Sequence, residues 1–162
     1  MTPTLTVTTP SDVEIAMTRV FDAPRHLVFR ALTTPELMQR WFLGPPGWDL
    51  AVCEADLRVG GAYRCVWRGK DAKAGKEIAM GGKYLEIDAP GKYVYTEAFE
   101  QPWYQGECVV VTTLDEVDGR TTMTVTTRTD TKETRDTILK TGMEKGAAIS
   151  YDRLAEVLST LV

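Results

Sequence analysis

The sequence predicts an α+β domain in which a seven-stranded curved antiparallel sheet wraps a long C-terminal helix, with two short helices after the first strand. Three observations carry this. Apolar and polar residues alternate in one stretch near the N-terminus and in six more from Trp48 to Arg128. The breaks between those six are short and rich in turn-forming residues, which makes neighbouring strands antiparallel. Beyond Thr131, apolar residues recur at steps of three and four.

Taken in order, residues 1–11 are rich in Thr and Pro and read as a loose tail, although Leu5 and Val7 suit an extension of the sheet. Residues 12–162 read as one domain. Its first strand covers 12–21, where Val13, Ile15 and Met17 alternate with Glu14, Ala16 and Thr18. Asp22 is placed to cap a short helix with Pro24 in its first turn. Thr34, Pro35 and Glu36 repeat the signal, with proline at the first helical position and an acid beside the positive helix end. Gly44-Pro45-Pro46-Gly47 stops that second helix after Trp41-Phe42.

Six strands are expected over 50–57, 61–68, 77–87, 92–99, 107–115 and 121–128. Gly60-Gly61, the 70–76 loop, Ala89-Pro90-Gly91, Gln101-Pro102 and Asp118-Gly119 separate them. Strand parity puts Tyr63, Cys65 and Trp67 on one face and Arg64 and Arg68 on the other. By the same rule Tyr93, Tyr95, Glu97 and Phe99 share a face. The final helix is expected from Thr131 to Leu161, with Asp130 and Glu133 at capping-box spacing and Gly142 and Gly146 inside it.

Composition narrows the function classes. A chain of 162 residues buries about 70% of its unfolded surface on folding, enough for a core without disulfides or metal. Net charge is −4 and the basic residues are scattered, which disfavours nucleic acid as a partner. A single histidine, His26, excludes two-histidine zinc motifs, and Cys53, Cys65 and Cys108 show no C-x-x-C spacing. No metal and no cofactor are expected. Neither a membrane-length apolar run nor a signal-peptide pattern is present, so a cytoplasmic protein without membrane contact is expected. Nothing in the pattern sets an oligomeric state.

Four stretches carry a resemblance. They are Arg19 to Arg25 with Val28 to Ala31; Thr34-Pro35-Glu36 through Trp41-Phe42 to Gly44-Pro45; Asp56-Leu57-Arg58-Val59-Gly60-Gly61; and Arg135-Asp136 with Gly142-Met143-Glu144, Gly146 and Ser150 to Leu154. Together they resemble the START and birch-pollen-allergen-like superfamily (SRPBCC), in the branch named after the activator of the heat-shock-protein-90 ATPase, which shades into polyketide-cyclase-like proteins. The resemblance covers residues 12–160. It implies a helix-grip fold with an apolar ligand cavity between sheet and long helix. Val59 departs from the usual proline, the 71–77 loop is longer than usual, and Ala147 replaces a common aromatic, which enlarges the cavity if it faces inward.

The candidate ligand-binding residues are Trp41, Trp67, Met80, Tyr84, Tyr95, Glu97, Val110, Met123, Leu139 and Met143. Large aromatics and adaptable methionines suit an apolar site; the same residues also suit plain core packing. Glu97 is the one catalytic candidate, as a general acid or base or as a polar hook. Its alternatives are a carboxylate at the cavity mouth or one paired with a neighbouring arginine. The leading expectation is binding of a small apolar or aromatic molecule. The alternatives are a cyclase- or hydrolase-like enzyme in the same cavity, and a chaperone-ATPase regulator acting through protein contact.

Overall fold

The computed structural model describes residues 4–104 and 106–162. In chain order the elements are β1 (Thr6–Thr8), β2 (Glu14–Phe21), α1 (Arg25–Thr33), α2 (Pro35–Trp41), β3 (Trp48–Ala55), β4 (Ala62–Gly69), β5 (Glu77–Asp88), β6 (Lys92–Phe99), β7 (Cys108–Val117), β8 (Arg120–Arg128), α3 (Lys132–Lys140) and α4 (Met143–Ser159). The strands form one sheet in the order β1-β2-β8-β7-β6-β5-β4-β3. Every pairing is antiparallel. From β3 to β8 the meander follows the turns read from the sequence, and β2 returns to pair with the last strand.

Three expectations are corrected. The sheet has eight strands, because Thr6–Thr8 of the expected tail pairs with Ala16–Thr18. Residues 1–3 of that tail lie outside the described residues. The long C-terminal helix is two helices. Gly142 takes φ +73°, a left-handed conformation that ends one helix and caps the next. The capping residues also differ. Thr131, not Asp130, caps α3 by accepting the backbone N–H of Thr134 at 3.1 Å. Pro24 occupies the cap of α1, and Asp22 instead faces Arg120.

The break at Gly142 has a packing cause. Ile138 and Leu139 on α3 pack with Ile15 and Cys108 in a small satellite cluster. Tyr151, Leu154 and Leu158 on α4 pack in the main core with Phe21, Val28 and Trp41. One straight helix cannot aim its stripe at both clusters; a bend at glycine does. Each fully buried Leu or Phe contributes about 1.5–3 kcal/mol.

Local contacts then fix the mouth of the fold. The Trp41 indole N–H donates to the Ala31 carbonyl at 2.9 Å, locking α2 on α1. The Trp67 indole N–H donates to the Phe42 carbonyl at 2.8 Å, tying the end of α2 to β4. Arg153 on α4 donates to the Gly44 carbonyl at 3.0 Å. At the Asp56–Gly61 turn, a Cβ on Gly61 would collide with the Asp56 carbonyl, so only glycine fits. Asp56 and Arg58 pair there at 2.7 Å with both side chains exposed to solvent.

Candidate functional site

The space between the sheet and the helices holds a cavity of two lobes. The first contains about 590 Å³ of empty space, its open side included. Met38 and Trp41 of α2 line it from one side, Tyr63 of β4, Met80 and Tyr84 of β5, and Tyr93 of β6 from the other. The second lobe contains about 980 Å³ on the same measure. It runs between β7, Trp103-Tyr104 and the start of α4, where Met143, Gly146 and Ala147 face it. The lobes share Phe42, Tyr95, Glu97, Val125 and Tyr151, which marks their junction.

The aromatic content is concentrated here. All six tyrosines of the chain line one lobe or the other. Tyr63 meets Tyr95 edge-on, with ring centroids 5.5 Å apart and planes at 88°. Tyr93 stacks on Tyr95 at 5.4 Å, and Tyr151 leans on Trp41 at 6.2 Å. The Tyr63 hydroxyl donates to the Thr96 carbonyl at 2.6 Å. Among the described residues, the hydroxyls of Tyr84, Tyr95 and Tyr151 hydrogen-bond to no protein group.

Glu97 stands at the junction. Among the described residues it has neither an ion-pair partner nor a hydrogen bond, so the arginine pairing considered from the sequence is absent. Its oxygens are not sealed in the core either: the single sealed and unpaired side-chain polar atom among the described residues is Nε of Arg19. The carboxylate therefore opens onto the cavity. Removal from bulk water pushes its pKa up from 4.5 to about 7. Burial likewise raises Tyr84 to about 12 and pushes Tyr63, Tyr93, Tyr95 and Tyr151 further up. No Lys, Arg or His lines either lobe among the described residues. Nor does any cluster of three His, Cys, Asp or Glu able to hold a metal ion occur among them.

Of the residues singled out from the sequence, Trp41, Met80 and Tyr84 line the first lobe, Val110 and Met143 the second, and Tyr95 and Glu97 both. Trp67, Met123 and Leu139 line neither. Trp67 is an anchor, with Phe42 packed edge-on against it at 5.1 Å. Met123 is wholly buried opposite Arg19 and Leu114. Leu139 belongs to the satellite cluster. Sequence reasoning missed Tyr63, Tyr93 and Tyr151 as lining residues, although strand parity and the helical stripe already placed each on an inward face. Phe42 and Tyr104 lie in loops, where no periodicity marks them. His26 is exposed on α1, away from the cavity.

Comparison with known proteins agrees with this architecture. The family model described as "Activator of Hsp90 ATPase homolog 1-like protein" matches residues 22–159. The chain belongs to that family. A protein of Rhodobacter sphaeroides superposes with a TM-score of 0.89 at 24% identity, covering 97% of this chain and 99% of its own. Ms6760 of Mycobacterium smegmatis gives 0.83 at 23% identity, over 98% and 99%. CalU16 of Micromonospora echinospora gives 0.62 at 20% identity, over 98% and 85%. These likenesses establish the shared fold. No curated protein sequence matches the chain. No helix of the described residues is long and apolar enough to cross a membrane.

Proposed function

We propose that this family member binds a small apolar or aromatic molecule in the two-lobed cavity, with Glu97 as its polar anchor, in a reducing cytoplasmic compartment. One observation carries the reading: an unpartnered carboxylate stands at the junction of two aromatic-lined lobes. Affinity comes from apolar burial, at about 25 cal/mol per Å² before ordering costs. Three free thiols suit the reducing compartment. The test is titration with the neutral fluorophore N-phenyl-1-naphthylamine, alongside native mass spectrometry of gently purified protein. Saturable micromolar binding that weakens in Gly146→Leu supports the reading. Absence of saturable binding, or binding indifferent to that substitution, overturns it.

A second reading, a proton-transferring enzyme in the same cavity, is favoured by the carboxyl held near 7, where a group both gives and takes a proton at neutral pH. Turnover of a test substrate that is lost in Glu97→Gln would establish it. Chaperone regulation rests on the family description alone.

A further inference from the structure

We propose that the molecule bound between the lobes is a small hydrophobic amine, held as its ammonium by Glu97 among tyrosine ring faces. This rests on the cavity being a binding site and names the chemical class of its occupant. The cavity presents one group able to carry charge near neutral pH, a carboxylate, and no cation to meet it. An unmatched carboxylate out of bulk water is costly, and the chain itself supplies no counter-charge. A ligand that brings a cation removes that cost. An alcohol or amide gives one hydrogen bond and leaves the charge unmatched; an anion is repelled.

The aromatic walls favour the same class. Tyr63 and Tyr95 lie perpendicular at 5.5 Å, Tyr84 is inclined to Tyr63 at 5.6 Å, and Tyr151 faces the junction from α4. Tyr63, Tyr84, Tyr95 and Tyr151 line the first lobe together with Glu97, and an ammonium seated beside a tyrosine ring is attracted by its electron-rich face. The unbonded hydroxyls of Tyr84, Tyr95 and Tyr151 accept hydrogen bonds as well as donate them, so an N–H donor suits them. The two lobes provide room for the amine's apolar body.

The titration of Glu97 then couples to binding. It is faced by Tyr63 and Cys65 of β4, Tyr95 of its own strand, Tyr104 of the following loop, Cys108 of β7 and Tyr151 of α4. All of these are pushed upward by burial and neighbouring groups, and so stay neutral between pH 6 and 8. An alkylamine stays protonated through the same window. Amine affinity therefore rises about tenfold from pH 6 to pH 8 as the carboxyl ionises around 7.

The experiment compares 1-naphthylmethylamine with its near-isostere 1-naphthylmethanol, by displacement of N-phenyl-1-naphthylamine from the full chain and from Glu97→Gln. The expected result at pH 8 is an amine bound at least about tenfold tighter than the alcohol, with the ratio falling to about one in Glu97→Gln. If amine and alcohol bind the native chain alike, the amine proposal is overturned while the cavity reading stands. If N-phenyl-1-naphthylamine itself does not bind saturably, the cavity reading fails and this proposal with it; if it binds and neither compound displaces it, the amine proposal alone is overturned. Should Glu97→Gln not fold, the pH profile of the native chain decides: an amine affinity flat from pH 6 to 8 overturns the proposal.

Discussion

Arg19 and Asp152 lie 133 residues apart in the chain and 2.6 Å apart in space, Nη1 donating to the carboxylate Oδ1. The pair ties β2 to α4. Arg19 is 3% exposed and Asp152 63%. The guanidinium also lies over the Phe21 ring at 5.2 Å, and its Nε is sealed without a partner. Removing the carboxylate strands a buried cation, while water reaches part of the vacated place. Asp152→Ala should therefore lower stability by about 1–2 kcal/mol in urea unfolding, below the full penalty of breaking a sealed pair. Arg19→Met on top of it should recover most of the loss, because it removes the buried charge as well. A loss below about 0.5 kcal/mol for Asp152→Ala would place the pair with ordinary surface ion pairs.

The pH dependence of stability follows from Glu97. Its carboxyl titrates near 7 in the folded chain against 4.5 ordinarily. Below pH 4.5 both states hold the proton and Glu97 contributes nothing. Between 4.5 and 7 only the folded state holds it, so stability falls as pH rises, by about 1.4 kcal/mol per unit. Above 7 both states are ionised and the loss, on the order of 3–4 kcal/mol, is complete. Glu97→Gln should match the native chain near pH 4 and exceed it at pH 8. Urea midpoints at the two pH values check this; an unchanged difference between them refutes it.

Parity was the legible part of the site. A strand that carries Tyr93, Tyr95 and Glu97 at alternate positions must send all three to one side, and the structure opens that side onto the cavity. What parity does not reveal is depth. Trp67 shares its face with Tyr63 and Cys65 but lies one step toward the end of α2, where Phe42 covers it. Met123 lies on β8 between Arg19 of β2 and Leu114 of β7 and is wholly buried in the core. Gly142 illustrates another limit. The steps of three and four continue unbroken through it, so sequence spacing reads one helix; only the satellite cluster around Ile15 and Cys108 reveals that Leu139 needs a different direction from Tyr151.

The thiols should differ in reactivity. Cys53 and Cys65 are directly opposed across β3 and β4. The adjacent Cys65 thiol lowers the pKa of Cys53, while the neighbouring Cys53 and burial push Cys65 up. Burial also raises Cys108. Because the thiolate is the nucleophile, iodoacetamide at pH 7.5 should label Cys53 at least about tenfold faster than the other two. Peptide mass spectrometry over a time course reads the order directly. Early labelling at Cys108 would contradict it.

Gly142 and Gly146, four residues apart on one face of the sequence pattern, should respond to substitution with opposite signs. At Gly142 a side chain meets open space, but φ is +73°, so Gly142→Ala costs about 1 kcal/mol through backbone strain alone. Gly146 lies within α4 at ordinary helical φ, and a Cβ there also meets nothing. Gly146→Ala should gain about 0.5–1 kcal/mol from helix propensity. Its neighbour Ala147 faces the same second lobe, where the expected aromatic is missing. A larger side chain at 146 enters that lobe, so Gly146→Leu should hold or raise the melting temperature while weakening 1-naphthylmethylamine about tenfold or more. The paired readout separates the two reasons a helix keeps a glycine. If the helix needed a close approach to the sheet, both substitutions at 146 would destabilise it; if the glycine keeps the lobe open, stability rises and binding alone is lost.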